Sequence, residues 1–432
     1  MLNGIKSFII LINKIRNIVN TEDKKRLISN FFSLAVLQGA NYILPLLTLP
    51  YLIRVLGIDT FGLLAFATAV IAYFNIVTDY GFNLTATREI SIHRDDKNKV
   101  IEIFSSVMTI KVILMFLTLL LLTILVFSFD KFSKDWEIYF LTFGTVIGQV
   151  LFPVWFFQGM ERMKYITYLN IFAKSIFTVA IFIFVQEQSD FWIVPILTST
   201  GFIIAGIWSL FLIKKEFNIN FKFQSFNFLK RKIIDGWYVF LSQVKISLFS
   251  NTNTVILGLI AGNQAVGYFV AAEKLIRSLA SLQVPVTQTL FPYISKEIKI
   301  DKMTTINKIF KISKIGTIIY SAILIGIFIF SEELIILIFC ENMTESVIVL
   351  KILLIIPLTI FLNNMFGTQI LLNLGKDKLF FKILLSIALL NIIMVIPLTL
   401  YFSYIGTAIS VLISEIFLLV GMYMYTKKEF IK

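Results

Sequence analysis

About twelve long apolar segments, joined by short polar loops, run from Asn30 to Tyr425. An apolar stretch of roughly 20 residues crosses a bilayer as a helix, because in hydrocarbon the helix satisfies its own backbone N–H and C=O groups. The segments predict spans at 30–56, 60–80, 104–129, 136–157, 165–186, 191–213, 236–260, 266–294, 310–340, 346–373, 380–402 and 405–425. Little chain remains for a soluble domain. With 58% hydrophobic residues, the fold class expected is an all-α integral membrane protein.

Thirty of the 39 Lys and Arg residues fall in alternate loops, counting both termini. The intervening loops carry only Arg54, Lys131 and Lys134, together with acids such as Asp130, Asp135, Glu187, Asp190, Glu341 and Glu345. The positive-inside rule then places both termini in the cytoplasm. It divides the chain into a basic N-terminal segment 1–29, six spans over 30–213, a basic linker 214–235, six spans over 236–425 and a tail 426–432. The N-terminal segment mixes Lys6, Lys14 and Arg16 with Ile5, Ile9, Ile12 and Ile15, and reads as an amphipathic helix on the inner membrane surface rather than a cleavable signal. In a chain so apolar, the net charge of +13 points to anionic membrane lipid rather than nucleic acid. One cysteine (Cys340) and one histidine (His93) make an internal disulfide impossible and a metal site improbable.

Two short patterns recur. Gly57-Ile-Asp-Thr-Phe-Gly62 matches Gly262-Asn-Gln-Ala-Val-Gly267 at an offset of 205, and Gly159-Met-Glu161-Arg162 matches Gly375-Lys-Asp377-Lys378 at 216. Each pair faces one side, so the repeat is parallel: six spans, then six more, a plan in which transporters place a site between two bundles. All eight prolines lie within apolar segments, where they are expected to bend helices.

A charge at mid-bilayer costs about 2.5–3.5 kcal/mol on insertion scales, so it needs a partner or a wet cavity. Lys111 and Lys351 lie near span ends and can snorkel, whereas Lys174, Lys245, Lys274 and Arg277 lie deep. Only Glu273 and Glu415 are comparably deep acids, with Asp79 near the cytoplasmic end of its span. Glu273 and Arg277 are spaced to pair at i,i+4, which leaves Lys274 uncompensated. A structural ion-pair network is the bland alternative, but it leaves the positive excess unexplained, whereas a cavity for an anionic ligand explains it. Asn251 and Asn253 lie in a polar run suited to sugar hydroxyls, or to interhelical hydrogen bonds. No ATP-binding loop is present: Gly57 and Gly62 have the glycine spacing but Leu63 and Leu64 follow.

Pro45-Leu-Leu-Thr-Leu-Pro-Tyr-Leu-Ile-Arg-Val-Leu-Gly57, Asp79-Tyr-Gly-Phe82, Ala86-Thr-Arg-Glu-Ile90, Phe156-Phe-Gln-Gly-Met-Glu-Arg-Met-Lys164 and Val266-Gly-Tyr-Phe-Val-Ala-Ala-Glu-Lys274 together resemble the O-antigen flippase (Wzx) family. The resemblance runs along nearly the whole chain. It implies the multidrug/oligosaccharidyl-lipid/polysaccharide exporter fold, with two six-helix lobes in a V around a central cavity. It also implies a non-enzymatic transporter of the bacterial inner membrane, moving an undecaprenyl-pyrophosphate-linked oligosaccharide between leaflets. The polysaccharide polymerase and chain-length machinery would be partners. Lys174, Lys245, Lys274, Arg277, Asn251 and Asn253 are the candidate substrate contacts. Asp79, Glu273 and Glu415 are candidates for coupling to H⁺ or Na⁺, with no other cofactor expected. The alternatives are a drug/cation antiporter, which would favour an acidic lumen, and a membrane glycan polymerase, for which the external loops are too short.

The topology is testable with single cysteines at Ser133 and Ser225. An impermeant thiol reagent should label position 133 from outside and leave 225 untouched; the reverse pattern would invert the arrangement.

Overall fold

The computed structural model describes the backbone of residues 22–339 and 343–431. The side chains of 22–32, 34, 35, 245–250, 285, 289, 292 and 429–431 lie outside that description, as do residues 1–21, the Lys245 side chain and Cys340, for which the sequence raised expectations. The described residues are helical, without strands. The principal elements are α1 (Glu22–Leu56), α2 (Ile58–Asp79), α3 (Phe82–His93), α4 (Lys97–Ser128), α5 (Trp136–Leu151), α6 (Met163–Phe184) and α7 (Ile193–Phe217). After residues 218–225 come α8 (Phe226–Ser281), α9 (Val284–Ile300), α10 (Lys302–Ile329), α11 (Thr344–Leu353), α12 (Ile356–Asn363), a π-helix (Asn364–Leu372) and α13 (Asp377–Ile431).

Ten helices among the described residues are long and apolar enough to cross a bilayer. One of the ten, α13, doubles back at Ser403 (φ 50°) and so supplies two of the expected spans. Its arms run antiparallel: Thr399 and Thr407 share a 2.8 Å hydrogen bond, and Asn391 donates to Ser414 Oγ at 3.0 Å. The arm of α8 before Gly262 supplies the twelfth. It runs antiparallel to α2, with Tyr80 stacked on Phe240 at 4.7 Å, Tyr73 bonded to Thr252 at 2.7 Å, and Phe66 pressed on Gly258.

The first repeat is a structural one. Gly57 and Gly262 hold positive φ (76° and 86°), which glycine adopts without a steric penalty, and each begins a helical stretch on the face opposite the basic loops. Five residues on, each repeat packs into the other. A Cβ on Gly62 would lie 1.9 Å from the Asn263 carbonyl oxygen, and one on Gly267 would lie 2.3 Å from that of Ile58. Ile58 and Asn263 are themselves 205 residues apart, so the contact is reciprocal and relates the copies by a local two-fold. The same offset relates Asp96 and Asp301, which cap α4 and α10 by accepting from Lys99 N and Thr304 N at 3.1 and 3.0 Å.

The second repeat needs a corrected register. Arg162 N–H bonds Phe157 O while Glu161 N–H bonds Gln158 O; Lys376 and Gly375 do the same to Leu371 and Leu372. These are paired Schellman turns whose left-handed residue is Glu161 (φ 55°) in one copy and Gly375 (φ 71°) in the other. The offset is therefore 214, and Gly159 and Gly375 are not equivalent.

One further expectation changes. Four prolines begin helices rather than bending them: Pro153 precedes the short helix Val154–Gly159, Pro285 and Pro357 open α9 and α12, and Pro195 lies in the first turn of α7. The missing N–H has no intrahelical partner there. Pro45, Pro50 and Pro397 do lie inside helices. Trp155 is fully buried, packed on Phe104 and Phe156 at 6.0 and 6.4 Å.

The apolar core explains the shape. On the far face, one continuous core draws on both halves, from Leu49, Phe66 and Tyr139 to Phe269, Leu353 and Val411. On the basic face it splits in two. One core uses residues between Leu37 and Ile219, the other residues between Ile294 and Met422. The halves share one core at the far face; at the basic face each has its own, and they touch there along α2, α3 and the first arm of α8, where Tyr80 stacks on Phe240 and Lys232 pairs with Glu89.

Overpacking a tight contact costs about 1–3 kcal/mol. Gly62→Ala and Gly267→Ala should each lower the melting temperature of the purified protein by several degrees, whereas Gly326→Ala, with nothing within 4 Å of the new Cβ, should not. Equal melting of all three variants would show that the crossing does not hold the halves together.

Candidate functional site

The far-face join carries α8 past its kink, and about two to three turns beyond the glycine crossing come its mid-span charges. Arg277 Nε donates to Glu273 Oε1 at 2.8 Å, the pairing that the i,i+4 spacing predicts. Glu415 of α13 is buried, accepts from Asn363 Nδ2 of α12 at 3.0 Å, and lies within electrostatic range of Arg277. Tyr42 of α1 is also within range of that guanidinium. Its neighbour Asn41 accepts from Lys174 Nζ of α6 at 2.5 Å. Thus consecutive residues of α1 bond a base of the first half and lie within electrostatic range of one in the second.

Lys274 lies beside this group, with its ammonium 5.5 Å from the Phe61 ring centroid. The side chains of Lys274 and Arg277 are exposed, that of Arg277 by 46%. An exposed mid-span ammonium without a carboxylate is inexpensive where it faces a hydrated recess.

Partners account for part of the positive excess. Lys111 is buried and paired with Asp79 at 3.5 Å, so it does not snorkel. Lys351 pairs with Glu332 at 3.2 Å on the far face. Lys174 bonds a neutral amide and Lys274 lies over a ring face, and among the described side chains these two carry the excess.

The candidates therefore do not form a single cluster. Arg277, Glu273, Glu415 and Lys274 gather at α8 and α13, and Lys174 approaches through Asn41. Asp79 stands apart, held by Lys111. Asn253 is buried with its Oδ1 unpartnered, next to the Thr252–Tyr73 bond, and Asn251 is half-buried on the same arm. Lys245 lies on that arm too, with its side chain outside the described atoms. Sequence reading missed Tyr42 and Phe61. A tyrosine beside Asn41 in mid-span was a usable signal; Phe61 has none, because apolar rings abound in such segments.

A guanidinium and an ammonium three residues apart on α8, with a second ammonium bonded to α1, can bind a polyanion. The guanidinium can engage two oxygens while each lysine acts as a point charge.

Comparison with known proteins agrees. Residues 27–298 match the family described as polysaccharide biosynthesis protein. An Escherichia coli (strain K12) protein described as an O-antigen transporter is 35% identical over 407 residues, spanning 94% of this chain and 98% of that protein. A Shigella dysenteriae protein so described is 26% identical over 401 residues, spanning 91% and 98%. Among solved structures, the lipid II flippase MurJ in an inward closed conformation superposes with a TM-score of 0.69 at 15% identity, covering 94% of this chain and 89% of that one. An outward-facing multidrug MATE transporter gives 0.60 at 12% identity, covering 95% and 97%. These neighbours show the fold, a multi-pass membrane transporter. The chain belongs to the polysaccharide biosynthesis protein family, as a Wzx-like bacterial member of the multidrug/oligosaccharidyl-lipid/polysaccharide exporter superfamily.

Proposed function

We propose that this protein is an inner-membrane flippase for an undecaprenyl-pyrophosphate-linked oligosaccharide repeat unit of O-antigen or a similar surface polysaccharide. Both termini are cytoplasmic in this reading, and the gap on the basic face receives the headgroup from the cytoplasmic leaflet. The observation that carries it is the pair of exposed mid-span cations Lys274 and Arg277 on α8, with Lys174 bonded to α1, in halves whose shared core lies at the far face. A pyrophosphate that must leave water meets fixed cations there, while the prenyl tail stays in lipid. Rocking of the halves about the glycine crossing then exposes the recess to the other side. The lipid-linked glycan is the substrate; the polymerase and chain-length machinery are the partners expected downstream.

Charge-assisted hydrogen bonds contribute about 1.5–3 kcal/mol each. Arg277→Ala should abolish surface polysaccharide and leave the lipid-linked glycan accumulating in the cytoplasmic leaflet; Arg277→Lys should restore only part of the activity. Full export by Arg277→Gln at normal membrane abundance would reduce Arg277 to a partner of Glu273.

We further propose that a proton or Na⁺ gradient drives the cycle, with Glu415 the first candidate. It is buried, faces Asn363 and competes for the Arg277 charge. Glu415→Gln should slow flipping in proteoliposomes and flatten its dependence on pH or Na⁺. Asp79→Asn should instead destabilise the protein, because it strands Lys111 as an unpaired buried charge. Unchanged ion dependence in Glu415→Gln, Glu273→Gln and Asp79→Asn alike would exclude these carboxylates from coupling.

A further inference from the structure

A second amphiphilic site lies on the outside of the first half. An apolar groove of about 650 Å³ runs between α1, α6 and α7, lined by Val36, Tyr168, Phe172, Ser175, Trp208 and Leu212. Several of these are large and exposed: Tyr168 is 69% exposed, and Phe172 and Trp208 meet edge to face at 5.8 Å. From Tyr165 to Ser175 the groove follows ten residues of α6, about 15 Å, the depth of one leaflet's hydrocarbon.

At its basic-face end the groove meets a polar pocket of about 480 Å³, and Tyr165 lines both. Two bases of that pocket, Arg162 and Lys164, belong to the first turn of α6, which has no side-chain cap and no acid. Such a helix start favours an anion. Two acids, Asp95 and Glu216, stand in the same pocket and are exposed. The third base, Arg94, is bound to Glu161 at 2.8 Å, so the remaining lining carries two charges of each sign.

We propose that this groove and pocket bind one membrane phospholipid with a phosphoethanolamine head. Its phosphate lies on Arg162, Lys164 and the start of α6; its ammonium donates to Asp95 and Glu216; its acyl chain fills the groove. Charge complementarity selects this head. A purely anionic head leaves both carboxylates facing its own charge, and a trimethylammonium head has no N–H to donate to them. The same balance disfavours a pyrophosphate. The site is separate from the recess: Lys174, next to Ser175 on α6, turns its ammonium to Asn41.

The test is native mass spectrometry of the full chain in detergent. It is incubated in turn with phosphatidylethanolamine, phosphatidylglycerol and phosphatidylcholine of identical acyl chains. Phosphatidylethanolamine should be retained about tenfold better than either of the others. Asp95→Asn with Glu216→Gln should abolish that preference, Arg162→Gln with Lys164→Gln should weaken all three lipids, and Val36→Trp should block the groove to all three. All five positions are on the surface of the pocket or groove, and a melting curve for each variant separates lost binding from lost folding. Equal retention of phosphatidylglycerol by the unaltered protein overturns the proposal, as does a phosphatidylethanolamine preference that survives the acid replacements. Displacement by equimolar undecaprenyl diphosphate would assign the site to the transported lipid and equally overturn it.

Discussion

The glycine crossing on the far face is the contact on which the rest of the architecture hangs. Gly62 and Gly267 let two helix starts approach to within backbone contact of the residues following Gly57 and Gly262. No other residue leaves room for that approach. Because each glycine serves the other copy's backbone, the join is self-complementary, like the isologous interface of a dimer built within one chain. It gathers one shared core around itself and leaves the opposite ends of the halves to form cores of their own. A tight joint at one face and separate cores at the other, bridged there by the first arm of α8, suit a transporter whose halves rock.

The charges follow from that joint. Helix α8 leaves the crossing and passes into the space where the cores diverge, so residues 273–277 lie where water and protein meet. Within this space, pairing consumes some charges and leaves others. Arg277 is shared between Glu273 and the field of Glu415, while the Lys274 ammonium rests over an aromatic face, a contact worth roughly 0.5–2 kcal/mol and easily exchanged for a stronger anion. The site therefore combines a fixed cation with displaceable ones.

Much of this was legible in the sequence, because membrane solvation is a one-dimensional constraint. The spans, the glycine repeat at offset 205 and the Glu273–Arg277 pairing all depend on local spacing, and the structure has each of them. What depended on distant segments was not legible. Lys111 finds Asp79 across two helices, so its position near a span end misled. The prolines at 153, 285 and 357 mark helix starts only because the chain breaks just before them. The second repeat was misaligned by two residues because a left-handed turn position that favours glycine is filled by Glu161 in one copy.

That misalignment has a consequence. From the cap Asp96 to the left-handed Glu161 the chain advances 65 residues, whereas from the matching cap Asp301 to Gly375 it advances 74. The longer segment holds the π-helix and Asn363, the residue that holds Glu415. Among the described residues the first half has no π-helix. Copies that match at the pivot have diverged at the level of the recess: the molecule is symmetric as a hinge and one-sided as a receptor.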